Sequence, residues 1–402
     1  MAKFVPDPNG FDVEDFIEEL SNELSLRYRE VEDTLIRELA ERVYRDIELQ
    51  QLLPDTRVRG GLTAAERRVQ NQALGKLAVH RRQALRELQS QATAMVEKLR
   101  RSGMAEEIIR VAANEGEAAA AARLSLASRL PTVYQTGSAA QAVASLAISL
   151  QSRLETMNQR ITRYPRDAYQ RVVSMTAPQT LLGATTGLQQ QQATVRKFLG
   201  EGITGFVDKG GRNWSIGAYS EMAGRTAVNR AFNDAGVWRM QQSGINLVTI
   251  VGSFDACAQC APWIGKILST DGSSAGPRIM PHATEDTVAT VNVAGTIEDA
   301  KNAGWGHPND RCTQIAFMPG LSVPQKDFEF DKQANDNRAR QRSIERDIRS
   351  SKRDAATAPD VLSRKRAERK VREKQAKMRG FLGETNRVRS GYREQLHFAD
   401  GR

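Results

Sequence analysis

Cysteine is scarce in this chain, three residues in 402, and histidine nearly as scarce at four. Three thiols cannot build a disulfide framework, and two of them stand in a C-x-x-C pair, which in a reducing setting argues for metal binding instead. Aromatic residues make up 6% of the chain and apolar residues 40%. That is too little for one large core, and it favours long helices with much surface. No apolar run reaches the roughly eighteen residues a membrane-crossing helix needs. Met1-Ala2-Lys3-Phe4-Val5-Pro6-Asp7-Pro8 lacks the basic-then-apolar order of a secretory signal, so folding in a cytoplasm is expected. Nucleotide-motor chemistry also lacks its sign. Asp208-Lys209-Gly210-Gly211-Arg212 is turn-like and does not have the P-loop spacing.

What is present is unevenly placed. The net charge is +10, and residues 331–402 carry 21 Lys/Arg against 11 Asp/Glu, which is the whole of that excess. A basic tail on a neutral body favours a polyanion, most commonly nucleic acid. Within it Arg364, Lys365, Arg366, Arg369, Lys370, Arg372, Lys374, Lys377 and Arg379 make a dense strip. Contacts from such a strip to phosphates are salt-sensitive and independent of sequence. A solvated helix face is the plainer alternative, since acidic neighbours are interspersed.

Helical periodicity dominates elsewhere. Leu20, Leu24, Leu35, Leu39 and Val43 recur in steps of three and four across residues 11–53. Pro54 and Gly60-Gly61 break that pattern, and Thr63 with Glu66 reads as a fresh N-cap. The helix it opens should stop at Ser102-Gly103. Ala-rich helical stretches follow near 105–128 and 138–160, separated by Pro131 and Gly137. Gly183, Gly187 and the glutamines 189–192 mark a change of texture. Leu247-Val248-Thr249-Ile250-Val251 is an apolar, β-branched run of strand length. A second strand is expected around 288–293, within an otherwise uninformative stretch from 268 to 302. Helices are expected again at 343–349 and 361–378, the latter ended by Gly380 and Gly383. The expected fold is mainly α with a small α+β metal-stapled domain, a long helical N-terminal region and a basic helical C-terminal tail. Its divisions fall at 1–180, 181–322 and 323–402.

The sharpest chemistry lies where the strand ends. Cys257-Ala258-Gln259-Cys260 is followed some fifty residues on by His307-Pro308-Asn309-Asp310-Arg311-Cys312. A C-x-x-C turn brings two thiolates to one point, and the distant cluster supplies the remaining corners of a tetrahedral site. Cys257, Cys260, His307 and Cys312, with Asp310 as an alternative oxygen ligand, suit Zn²⁺ better than a hard cation. Such a set is closed and structural. A deaminase-type catalytic zinc would need an upstream H-x-E, which is missing, and the rest of a thioredoxin-like redox pattern is missing too. Trp263 and Trp305 read as plugs over the site, and His282 as an exposed loop residue. His80 and His397 have no evident role. Arg225 with Glu221 at i−4 is an ordinary helix ion pair.

One further pattern joins these motifs. Gly211-Arg212-Asn213-Trp214-Ser215 and Tyr219-Ser220-Glu221-Met222-Ala223-Gly224-Arg225-Thr226-Ala227 lead to Gly244-Ile245-Asn246-Leu247-Val248. After these come Cys257 to Lys266, Gly306-His307-Pro308-Asn309 and Pro319-Gly320. In order and spacing this resembles the minor capsid protein 2 family of tailed bacteriophages, within the wider group of portal-associated, Mu F-like head morphogenesis proteins. The resemblance covers roughly residues 150 to 390. Where the wider group often reads His-Pro-Asn-Cys-Arg-Cys, this chain has Asp310, which leaves the ligands at that end open. The resemblance implies a non-enzymatic virion protein, made in the host cytoplasm and held inside the capsid. Its implied partners are the portal protein, the major capsid protein and packaged DNA, with no membrane partner. It would assist head morphogenesis, DNA packaging or ejection. An enzyme or toxin delivered with the genome, acting on nucleic acid or a host protein, is the competing class.

Overall fold

Thr63 shows how local chemistry shapes this chain. Its side chain accepts from the Glu66 backbone N–H, while the Glu66 carboxylate accepts from the Thr63 N–H, a complete capping box. The helix so opened runs 38 residues to Arg101. Ser102 is its C-cap, and Gly103, at φ 62°, turns the chain into the next helix. The computed structural model describes residues 12–53, 62–127, 140–181, 187–200, 202–207, 211, 213–325 and 328–400. Pro54, Gly60, Gly61, Pro131, Gly137, Gly183, the Asp208–Gly210 turn and Arg212 lie outside the described residues.

Helices predominate, as the periodicity predicts. In chain order they are α1 (Val13–Gln50), α2 (Ala64–Arg101), α3 (Met104–Leu124), α4 (Ala140–Leu181) and α5 (Gly187–Gly200). A short pair, β1 (Thr204–Val207) and β2 (Asn213–Ser215), precedes α6 (Ile216–Gln242). Strands then gather: β3 (Leu247–Val251), β4 (Ile267–Ser269), β5 (Gly276–Pro281), β6 (Val288–Val293) and β7 (Gly295–Thr296). A single-turn α7 (Ile297–Asn302), β8 (Thr313–Ala316), α8 (Lys332–Ala356) and α9 (Val361–Thr385) complete the chain. The strands expected at 247–251 and 288–293 are β3 and β6.

The chain divides into two compact units, each drawn from three stretches. The first comprises residues 1–25, 103–154 and 220–339. Its sheet has the order β7-β4-β3-β8, with β3 antiparallel to both β4 and β8 and β7 parallel to β4. The central β3 is buried over its first four residues, which explains its unbroken apolar, β-branched composition. Residues 268–302, opaque as sequence, supply a separate hairpin of β5 with β6, the edge strand β7 and α7. Close packing of α3 against α6 rests on glycine. A Cβ at Gly116 would run into the Phe232 backbone.

The second unit comprises residues 26–102, 155–219 and 340–402. Tyr28, Val31, Leu35, Leu39 and Val43 of α1 are buried, as are Ala73, Leu77, Ala84, Leu88, Ala92 and Val96 of α2. Charge is buried here as well. Arg353, 5% exposed, pairs with Glu32 at 2.9 Å and Asp33 at 2.8 Å. Two fully enclosed carboxylates against a guanidinium suit its fork of donors. In α9 the inner face holds Ser363, Ala367, Met378 and Phe381, the last two clustering with Ile344 and Ile348 of α8. One expectation is corrected: Gly380 and Gly383 do not end this helix. It continues through both to Thr385 and closes at Asn386, whose φ of 51° supplies the left-handed cap. Two exposed glycines weaken a helix without stopping it when its neighbours are packed.

Candidate metal centre

Strand β3 ends at Val251, and the chain folds at once into a tight turn over Cys257 to Ile264. Backbone N–H groups of Cys260 and Ala261 donate to the Cys257 carbonyl, at 3.1 and 2.9 Å. That curl points both thiols to one side. Gly265 returns the chain to the sheet by donating to the Ile250 carbonyl at 2.8 Å. It sits at φ 75°, and a Cβ there would overlap the Gln325 carbonyl, so the glycine of the Cys-Ala-Pro-Trp-Ile-Gly run is required twice over.

The opposite side comes from the loop before β8. His307 places Nε2 at 3.1 Å from Cys257 Sγ and 3.5 Å from Cys260 Sγ. Its other nitrogen, Nδ1, lies 2.8 Å from the Pro308 carbonyl. That carbonyl accepts the Nδ1–H and so turns Nε2 to the sulfurs, where it shares a proton with them when no metal is bound and is a ligand atom once that proton is lost. Asp310 Oδ1 lies 3.3 Å from Cys260 Sγ and accepts the Cys312 N–H at 3.0 Å. Cys257, Cys260 and His307 form one set of potential metal-ligating atoms, and Cys260, Asp310 and Cys312 a second, each within 4.8 Å mutually. Cys260 is the hinge between them. All five residues proposed from the sequence therefore converge.

Electrostatics fit a cation here. Burial works against the Cys257 thiolate, yet hydrogen bonds from His307 and from backbone N–H groups carry its pKa below the ordinary thiol value. Cys260 goes the other way: contact with Cys312 and burial push its pKa far up. The neighbouring Cys260 sulfur raises His307 to about 10, against the opposing effect of burial. Without a metal a proton shared between imidazole and sulfur neutralises the group. A divalent ion does the same for several thiolates at once. Three sulfurs, an imidazole and a carboxylate make a donor set for a soft or borderline ion, and these residues could hold one.

Part of what holds the loop in place is not legible as chemistry in the sequence. Asn309 adopts φ 75°, and its N–H donates to the Thr226 hydroxyl at 2.9 Å while its side chain accepts from Arg225 at 2.6 Å. Asn229 donates to the Asp310 and Cys312 carbonyls, and Asn233 donates to the Cys312 carbonyl while accepting from the Gln314 N–H. One face of α6, from Arg225 to Asn233, is thus a polar jig for the His307–Gln314 segment. The signal available was the spacing of Thr226, Asn229 and Asn233 at three and four, polar residues on a helix face. Arg225 does pair with Glu221, at 2.9 Å, but the pair is buried and committed to this loop. Arg311 is tied to Glu14 at 2.6 Å and to Glu18 at 3.4 Å.

The tryptophans close the apolar side. Trp305, 5% exposed, belongs to the core cluster that contains Cys260 and Cys312, and Trp263 packs against it partly buried. His282 is not a ligand. Its N–H donates to the Thr287 carbonyl and its Nδ1 accepts the Glu285 N–H, so it caps the β5–β6 turn. His80 Nε2 meets the Arg42 carbonyl at 3.0 Å, and the His397 N–H donates to Asp33.

In the second unit, the basic strip is a property of α9. Arg364, Lys365, Arg366, Arg369, Lys370, Arg372, Lys377 and Arg379 line its outward side, while Lys374 is half-buried and donates to Asp347 at 2.8 Å. No helix among the described residues is long and apolar enough to cross a membrane. A family model described as phage minor capsid protein 2 matches residues 14–383, nearly the whole chain. No curated protein and no solved structure gives a significant match.

Proposed function

The chain belongs to the phage minor capsid protein 2 family, and from that membership we propose that it is a structural virion protein. In this reading it resides inside the head of a tailed phage near the portal, contacts portal and major capsid proteins, and assists head assembly, packaging or ejection. The observation that carries the reading is the family match over residues 14–383. Quantitative mass spectrometry of purified virions and of empty procapsids tests it. A fixed low copy number in both is expected, and absence from both overturns it. Crosslinks to the portal protein in intact heads test the location separately.

The metal in this reading is Zn²⁺, held by Cys257, Cys260, His307 and Cys312. Asp310 Oδ1 is already engaged by the Cys312 N–H, which favours sulfur as the fourth ligand. Bound there, zinc would supply a closed structural crosslink between the β3 turn and the α6-anchored loop. The residues around it do the rest. Pro308 orients the imidazole, and Asn229 and Asn233 fix the carbonyls that flank the ligands. Metal analysis of the full chain beside Cys257→Ser and Cys312→Ser decides the set: one zinc in the wild type, lost in both variants. Retention of zinc by Cys312→Ser and its loss in Asp310→Asn would hand the fourth position to the carboxylate.

The outward strip of α9 is proposed to touch packaged DNA through phosphates. Its support is the row of cations on a helix whose apolar face is occupied by α8. Few aromatics are available for stacking, so no base preference is expected. Turnover by the purified protein on nucleic acid or a host protein would favour the delivered-enzyme reading instead.

A further inference from the structure

The neutrality of the chain before residue 331 is a sum of opposites. Helix α1 carries twelve Asp/Glu against five Arg, whereas α2 carries nine Lys/Arg against three Glu. Folding keeps the two signs apart. Asp46 of α1 is buried, accepting from Arg81 of α2 at 2.7 Å and from the Tyr169 hydroxyl of α4 at 3.3 Å. Within the second unit α2 and α4 run antiparallel, since Gln89 donates to the Thr162 carbonyl at 2.8 Å and Arg100 to Glu155 at 3.0 Å. That register puts Arg82 and Arg86 of α2 level with Arg163 and Arg166 of α4. All four are exposed, and among the described residues no hydrogen bond or ion pair holds them. Of the carboxylates that these two helices carry at this level, Glu87 accepts from Arg42 at 3.0 Å. That leaves Asp167 against four arginines.

Like charges gathered on one surface repel each other, and a partner of opposite charge relieves that repulsion. The surroundings say which kind of partner. Between residues 80 and 101 of α2 and between 155 and 174 of α4 no large apolar side chain is exposed. The exposed neighbours are polar and uncharged, namely Gln83, Ser90 and Gln170. A protein–protein interface needs an apolar, aromatic-rich centre, whereas contacts to a nucleic-acid backbone are polar and strongly cationic. All four cations are arginine, whose planar fork matches a phosphate with two donors at once. We propose that Arg82, Arg86, Arg163 and Arg166 form a second contact site for the phosphate backbone of nucleic acid, separate from the α9 strip. With backbone contacts only, it holds any sequence alike. The site shares with the α9 reading the expectation that this protein meets nucleic acid, and needs neither that strip nor the metal.

Fluorescence anisotropy of the full chain with a labelled mixed-sequence DNA duplex of about 30 base pairs, titrated from about 50 mM salt upward, tests it. Arg82→Glu, Arg86→Glu, Arg163→Glu and Arg166→Glu together should weaken binding at low salt at least roughly tenfold. The slope of log K against log salt should flatten by about 3.6, which is about 0.9 for each of four phosphates. The matching Arg→Lys set should keep the wild-type slope, and the Arg→Gln set should flatten it. Unchanged affinity and slope in the Glu set overturns the proposal, as does absence of DNA binding by the wild type at low salt. Reversal of Arg364, Lys365 and Arg366 to Glu separates the two sites. Loss of binding there, with none in the α2–α4 set, leaves α9 as the contact and overturns this proposal; the opposite result upholds it and removes α9. Unchanged DNA binding with weakened binding of poly-glutamate assigns the patch to an acidic protein face and overturns it too. Should the Glu set melt early, the Gln and Lys sets decide, since the first must flatten the slope and the second must not.

Discussion

The Cys/His cluster and the α9 strip are opposite ways of concentrating charge chemistry. The cluster draws on residues fifty positions apart, encloses them, and fixes its second half through neighbours that are not themselves ligands. His307 is aimed by Pro308, Asp310 and Cys312 by Asn229, and Asn309 by Arg225 and Thr226. The strip needs no such support. Its cations follow one another along a single helix, and Lys374 is the member tied to a carboxylate, Asp347. A buried site is therefore only as good as its scaffold, whereas an exposed one is only as good as its local composition. Substitutions should sort the two accordingly.

The largest effect should come from removing the shared corner. Cys260→Ser, or stripping the metal with a chelator, is expected to unfold the first unit, because structural zinc sites contribute on the order of 10 kcal/mol. Calorimetry should show one transition abolished or shifted far down; an unchanged melting profile would remove the staple. Because the ligands must be deprotonated, acidification should release the metal before it unfolds the second unit.

A scaffold change should come next. Asn233→Ala removes hydrogen bonds to Asn229 Oδ1, the Cys312 carbonyl and the Gln314 N–H. Leaving those groups buried and unpaired should destabilise the first unit by about 2–3 kcal/mol. Zinc affinity should fall roughly tenfold or more, as for other outer-shell partners. Equal affinity would mean that the ligands orient themselves. Reversing Arg364, Lys365 and Arg366 together to Glu sharpens the contrast. Thermal stability should move by no more than about 0.5 kcal/mol. DNA affinity at low salt should drop, and the slope of log K against log salt should flatten by about 0.9 for each phosphate that is no longer neutralised. A large stability loss with unchanged DNA binding would invert the comparison. The smallest effect is Gly383→Ala. No atom lies within 4 Å of the added Cβ, so α9 should gain about 0.5–1 kcal/mol with DNA binding unchanged.

Legibility follows the same division. The capping box at Thr63, β3, α9 and the ligand residues are readable because period, cap chemistry and metal-ligand spacing are local rules. The end of α9 is not, since glycine propensity ignores the packing of Met378 and Phe381 against α8. His282 is legible as a loop residue, and it lies in the β5–β6 loop, but nothing local shows that its ring nitrogen caps the turn. Apart from β6, the stretch from 268 to 302 stays opaque, as short strands with half-exposed alternation carry little signal. Consecutive divisions at 180 and 322 follow composition, whereas the compact units are each assembled from three separated stretches.

Sequence alone determined the residue types of this protein's chemistry: a soft-donor set for a metal, a row of cations, and helices to carry most of the rest. Tertiary structure alone decided which sulfur is shared between the two ligand triplets and that α6 holds the second half of the site. The reason is physical. Composition and period act over a few residues, but the direction of a buried lone pair depends on partners the chain brings back from far away.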